Sequence, residues 1–138
     1  MYSAADLKVG TVIDIHDPYS YDEKHKYSII VGISEDQFYV ATVFINSLIN
    51  PHAINSQILV NLQFEIKKAQ YPFLKRDSFV DCSHIEDRVQ VTLIDQVNSN
   101  GRILGQIKTG DLKKVINLVL SAPSILPYYI KMCNIKSI

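Results

Sequence analysis

The chain of 138 residues is short of cysteine, of net charge and of long apolar runs, and each shortage narrows what it can be. Cys82 and Cys133 are its two cysteines and neither sits in a CxxC, so a reduced, intracellular protein is the simplest reading. Lys and Arg total 14 against 14 Asp and Glu. That balance argues against a non-specific nucleic-acid coat, whose affinity comes from neutralising phosphates, yet leaves room for a small basic groove. No apolar run approaches the ~20 residues a membrane helix needs, so no membrane association is expected. The opening MYSAADLKVG lacks a cationic segment followed by an apolar one, so no secretory signal is visible and a cytoplasmic location is expected. Repeats and linkers rich in Gly, Pro or Ser are absent too. One domain over residues 1–138 is expected, with a core at about 7–120 and a short tail at 121–138.

What the chain has in quantity is isoleucine and valine, 19 and 12 residues, which favour pleated strands. GTVIDI (Gly10–Ile15) reads as a first strand. The polar HDPYSYDEKHK (His16–Lys26) reads as a loop in which Pro18 excludes a helix. YSIIVGIS (Tyr27–Ser34) is almost continuously apolar, as a strand buried on both faces should be. SED turns it into QFYVATVFI (Gln37–Ile45), which predicts a hairpin. Further strands are predicted at Ile58–Ile66, near Ser78–Asp81, at Asp87–Asp95 where Val89, Val91 and Leu93 alternate, and after an Asn-Gly turn at Asn100–Gly101. The period then changes. Leu112, Val115, Ile116, Val119 and Leu120 form one helical stripe, with Thr109 as its expected N-cap and Asp111 in the first turn. Pro123 ends it, and the apolar tail is expected to dock on the body. The expected fold is mainly β, a small bent sheet or open barrel of about six or seven strands with a helix packed on it.

No phosphate-binding loop, dinucleotide fingerprint, HExxH or GxSxG occurs. His16, His25, His52 and His84 show no metal-ligand spacing, so neither a metal nor a cofactor is expected. In DCSH (Asp81–His84), neighbours on a strand point to opposite faces, and Cys82 reads better as a buried filler than as a nucleophile. EKHK (Glu23–Lys26) runs straight into the apolar strand. It is either a charged gatekeeper against aggregation or the cationic wall of an anion site, with His25 on the face opposite Lys24 and Lys26. Lys75-Arg76 and Lys67-Lys68 are two more basic pairs. Folding would have to bring these clumps together for them to form one positive patch.

The order of several segments resembles a family. A VG-led first strand, a basic loop before IIVG, a hairpin running into INS, YPFLKRDSFVDCSHI (Tyr71–Ile85) and GQIKTGDLKKVINLVL (Gly105–Leu120) together are similar to the MazF/PemK-like toxins of type II toxin–antitoxin modules. The likeness covers about Leu7 to Leu120. It implies an SH3-like barrel that cleaves single-stranded RNA without metal, as a possible homodimer, neutralised by an antitoxin protein. The family's catalytic Arg, at the opening of the second strand, falls at Lys26 or a residue to its N-terminal side, and its Thr falls at Asn46, followed by Ser47. The resemblance thus implies Lys26 as phosphate cation, His25 as acid/base group, Asn46 or Ser47 as hydrogen-bond donors, and Lys24, Lys75 and Arg76 as RNA-binding cations. Lysine keeps the charge but loses the planar fork that grips phosphate. The alternative is therefore the same barrel without catalysis, serving as a protein- or RNA-binding module in a defence or regulatory assembly.

Overall fold

A computed structural model describes residues 1–16 and 25–138. Lys24 and most of the polar loop between the first two strands lie outside the described residues. Seven strands are present among the described residues: β1 (Thr11–His16), β2 (His25–Ile33), β3 (Tyr39–Asn46), β4 (Gln63–Ile66), β5 (Ser78–Asp81), β6 (Glu86–Val89) and β7 (Arg102–Gln106). All pair antiparallel in one sheet of order β4-β5-β3-β2-β1-β7, and β6 also pairs with β3. β4 and β7 end the order without pairing with each other, so the sheet is open. The fold is mainly β with helices packed on the sheet, as the composition implied.

Both faces of the sheet are covered, which explains the unbroken apolar run of β2. Pleating sends alternate side chains to opposite sides. Val12, Ile29, Val31, Ala41, Val43 and Ile45 fall into one core, with Leu112, Val115, Ile116 and Val119 of α3 (Thr109–Ser121). Ile13, Ile15, Ile30 and Val40 fall into a second core with Leu93 and Val97 of α2 (Gln90–Asn100) and Leu7 near the N-terminus. Residues 28–32 of β2 are buried throughout. β5 and β6 share one edge of β3. Between their paired positions β3 advances from Ile45 to Thr42 while its partner runs from Val80 to Glu86, leaving Cys82–Ile85 as a bulge.

Three sequence expectations need correction. Asp87–Asp95 is a strand only as far as Val89; from Gln90 it is helix α2, which buries Gln90, Leu93 and Val97 at helical spacing and leaves Val91 65% exposed. A three-residue apolar alternation fits both periods, and packing of Leu93 and Val97 on the second core decides for the helix. Ile58–Ile66 likewise divides into a short helix α1 (Gln57–Asn61) and β4. Ser56 caps α1 by accepting the Leu59 N–H at 3.2 Å, and Ile58 and Val60 point outward. Thr109 is the first residue of α3, not its cap, and Lys108 precedes it. The tail docks as expected. α4 (Pro127–Met132) is followed by Cys133 and Ile135, both buried in the first core.

Candidate functional site

β2 and β3 run side by side with Tyr27 opposite Ile45. Continuing that register sets Lys26 beside Asn46 at the end of the sheet, with His25 and Ser47 one step further out. The chain leaving β3 curls back on itself, with the Ala53 and Ile54 N–H groups donating to the Asn50 carbonyl and the His52 N–H to Asn50 Oδ1. Leu74, 3% exposed, anchors the segment that presents Lys75 and Arg76. These pieces enclose a cleft of about 570 Å³ lined by His25, Lys26, Asn46, Ser47, Lys75 and Arg76, together with Tyr27, Gln63, Ser78, Asp81 and the loop residues. Six of the seven residues singled out from the sequence thus line one cleft. The seventh, Lys24, lies outside the described residues.

The cleft is cationic. Among the described residues lining it, Asp81 is the only carboxylate facing Lys26, Lys75 and Arg76. Its Oδ1 already accepts from Gln63 Nε2 at 2.8 Å, from the Ser83 N–H at 3.0 Å and from the Ser83 hydroxyl. Among the described residues, none of the three cations is in an ion pair. The third basic clump does not join them. Lys67 is paired with Glu65 at 3.0 Å and Asp77 at 3.5 Å, and these carboxylates hold its ammonium pKa above the ordinary lysine value.

Lys26 stands opposite Ile15, whose side chain enters the second core, while His25 stands opposite His16 on the other face. The cleft therefore wraps the end of the sheet. His25 is held by a residue that sequence reasoning missed. Asp14 is 6% exposed, between Ile13 and Ile15 in β1. Its Oδ1 lies 2.9 Å from His25 Nδ1 and its Oδ2 accepts from Arg102 Nε at 3.3 Å. A carboxylate only accepts, so Nδ1 carries the hydrogen and, in the neutral ring, Nε2 carries the lone pair. Such a nitrogen takes a proton when neutral and returns one when charged. The His16 ring lies 5.5 Å from that of His25, tilted by 54°. Asp14 left a trace in the sequence as the one charge inside GTVIDI. Arg102 left none, because only the pairing of β1 with β7 brings it across.

Cys82 is fully buried, and burial followed by the nearby Asp81 charge pushes its thiol up to about 12. It stays protonated at neutral pH and acts as core filler. No helix among the described residues is long and apolar enough to cross a membrane. No protein-family model matches the chain, and no curated protein matches it.

Proposed function

We propose that this chain is a MazF/PemK-like endoribonuclease that binds single-stranded RNA in the cationic cleft and cleaves it by transesterification. The supporting observation is the convergence of His25, Lys26, Asn46, Ser47, Lys75 and Arg76 on one cleft whose cations have no ion-pair partners among the described residues. In this reading His25 Nε2 takes the 2′-OH proton. The 2′-oxygen bonds to phosphorus as the bond to the 5′-oxygen breaks, leaving a cyclic phosphate and a 5′-alkoxide that takes a proton from water. Lys26 stands where charge builds on the phosphoryl oxygens, with Asn46 and Ser47 as neutral donors beside it. Lys75 and Arg76 hold flanking phosphates. A partly disordered acidic segment of an antitoxin protein suits the same cleft by charge.

The test incubates the purified chain with a mixed single-stranded RNA pool and sequences the new ends. Cleavage is expected for the wild type, with loss in His25→Ala and Lys26→Ala variants that keep the wild-type melting curve. Undiminished cleavage in both variants removes the cleft from the mechanism. RNA that is retained but stays intact at high protein excess makes the cleft a binding module instead.

A further inference from the structure

Asp14 is an expensive residue to place where it is. It lies in the middle of a strand whose neighbours Ile13 and Ile15 are fully buried, and an ionised carboxylate there needs partners to offset its lost hydration. Both oxygens have one. Oδ1 receives the His25 ring and Oδ2 receives the Arg102 guanidinium. The two partners differ from Asp14 in exposure, because the His25 side chain is 50% exposed and that of Arg102 is 63% exposed. The buried atom is thus the anchor, and the exposed ones are what it holds in place. A structural ion pair would be served by either partner alone. The arrangement instead fixes one imidazole, at the rim of the cleft, in one tautomer.

We propose that Asp14 is the positioning residue that makes Nε2 of His25 the proton-transferring atom of the cleft. This rests on the cleavage reading above. Arg102 contributes through Asp14. By donating Nε–H to Oδ2 it prevents the carboxylate from turning, so that Oδ1 stays directed at Nδ1. The chemistry then balances without a further residue. Neutral His25 takes the 2′-OH proton on Nε2, and the imidazolium so formed lies beside the Asp14 carboxylate, which stabilises its new charge.

The same geometry makes one substitution sharply informative. In Asp14→Asn the Arg102 N–H still requires an acceptor, so the amide oxygen turns toward Arg102. The amide NH₂ then faces His25 and donates to Nδ1, which forces the hydrogen onto Nε2. Size and burial are unchanged while the ring is reversed. Two measurements test this. The first is the nitrogen NMR of the His25 ring at pH 8, where the wild type is expected to show a protonated Nδ1 and a bare Nε2, and Asp14→Asn the reverse. The second is single-turnover cleavage of a labelled single-stranded RNA. The variant is expected to be slower by about 10²- to 10⁴-fold, with RNA affinity within about threefold of wild type. In a His25→Ala background Asp14→Asn is expected to add nothing, because residues acting as one unit are non-additive.

A wild-type ring carrying its hydrogen on Nε2 overturns the proposal without any variant. So does an Asp14→Asn enzyme that cleaves at the wild-type rate, or one whose loss only follows a loss of affinity or a lowered melting temperature. A wild type that shows the expected ring yet leaves RNA intact overturns the cleavage reading, and with it the proton-transfer role. The hold of Asp14 on Nδ1 is decided separately by the ring signals.

Discussion

Replacing Tyr71 with phenylalanine removes a single oxygen atom from the joint between the Lys75–Arg76 segment and helix α3. That hydroxyl donates to Asp111 Oδ2 at 2.5 Å and accepts the Lys108 N–H at 3.1 Å. The ring is 2% exposed, and Lys108 Nζ lies 5.5 Å from its centre; phenylalanine preserves both contacts. What is lost is a hydrogen bond to a charged group, worth about 1.5–3 kcal/mol. Asp111 is only half-buried and Lys108 is exposed, so water recovers part of this and the net cost is about 1–2 kcal/mol. For a domain of this size that lowers Tm by roughly 3–10 °C. The pH dependence gives a second signature. Burial, then the bond to Asp111, pushes the phenol up to about 12 from an ordinary 10. The folded state therefore keeps its proton after the unfolded chain has lost it. This contribution is fully present below pH 10 and is lost as pH rises from 10 to 12. Phenylalanine has no proton to lose, so the variant's stability should fall less steeply over that window. Thermal melts followed by circular dichroism between pH 7 and pH 11.5 read both effects. An unchanged Tm at pH 7, with alkaline slopes parallel to wild type, would refute the role assigned to this hydroxyl.

Gly32→Ala is expected to loosen the tail. A Cβ there would lie 2.5 Å from the Cys133 carbonyl oxygen and 2.6 Å from Ile135 Cγ1, so the docked segment must move, at about 1–3 kcal/mol. A wild-type melt with unchanged resistance to proteolysis after residue 126 would contradict it. Cys82 and Cys133, with burial pushing their thiols up to about 12 and about 11, should resist a disulfide reagent in the native protein and react only in denaturant. Rapid labelling of native protein would show that these cores open. For single-stranded RNA the slope of log affinity against log salt is about 0.7 per phosphate contact. Alanine at Lys26, Lys75 or Arg76 should each reduce it by about that amount, and three unchanged slopes would place the RNA elsewhere.

Much of the sheet was legible because its signal is local. β-branched density and alternation marked β1, β2, β3 and β5, and the helical stripe of α3 was visible from Leu112 onward. Failure came where one apolar pattern fits two periods. Val89, Val91 and Leu93 read as a strand until Leu93 and Val97 are seen packing together against Ile13, Ile15 and Ile30. Ile58 and Val60 misled in the same way, since neither is buried. The cleft was partly legible, because EKHK and PFLKRD are compact clumps, but their meeting depends on the turn of chain between β3 and β5. That Lys67 would be neutralised while Lys75 and Arg76 would not was only half readable: Glu65 lies two residues before Lys67 on the chain, but Asp77 reaches it only once the loop has closed. The hold on His25 was the least visible feature, since Asp14, His25 and Arg102 lie on three separate strands.

The resemblance seen in the sequence sets Lys26 where that family keeps an arginine, which implied the absence of a guanidinium fork at the opening of β2. The folded chain changes that inference. A lysine there is a compact charge that cannot grip two phosphate oxygens in a plane. Two guanidinium groups nevertheless stand nearby, Arg76 on the wall of the cleft and Arg102 beyond His25, the latter 63% exposed although its Nε is spent on Asp14. Guanidinium groups therefore stand at this end of the molecule on another strand and a loop. In the proposed reading Lys26 supplies only a point charge where the phosphoryl oxygens gather, and a strand position paired with Ile15 is rigid enough to aim one. Lys26 supplies charge in this reading and His25 the proton transfer. In that reading the Asp14 carboxylate, which holds His25 Nδ1 at 2.9 Å, bears on proton transfer, and Lys26 bears on the phosphate.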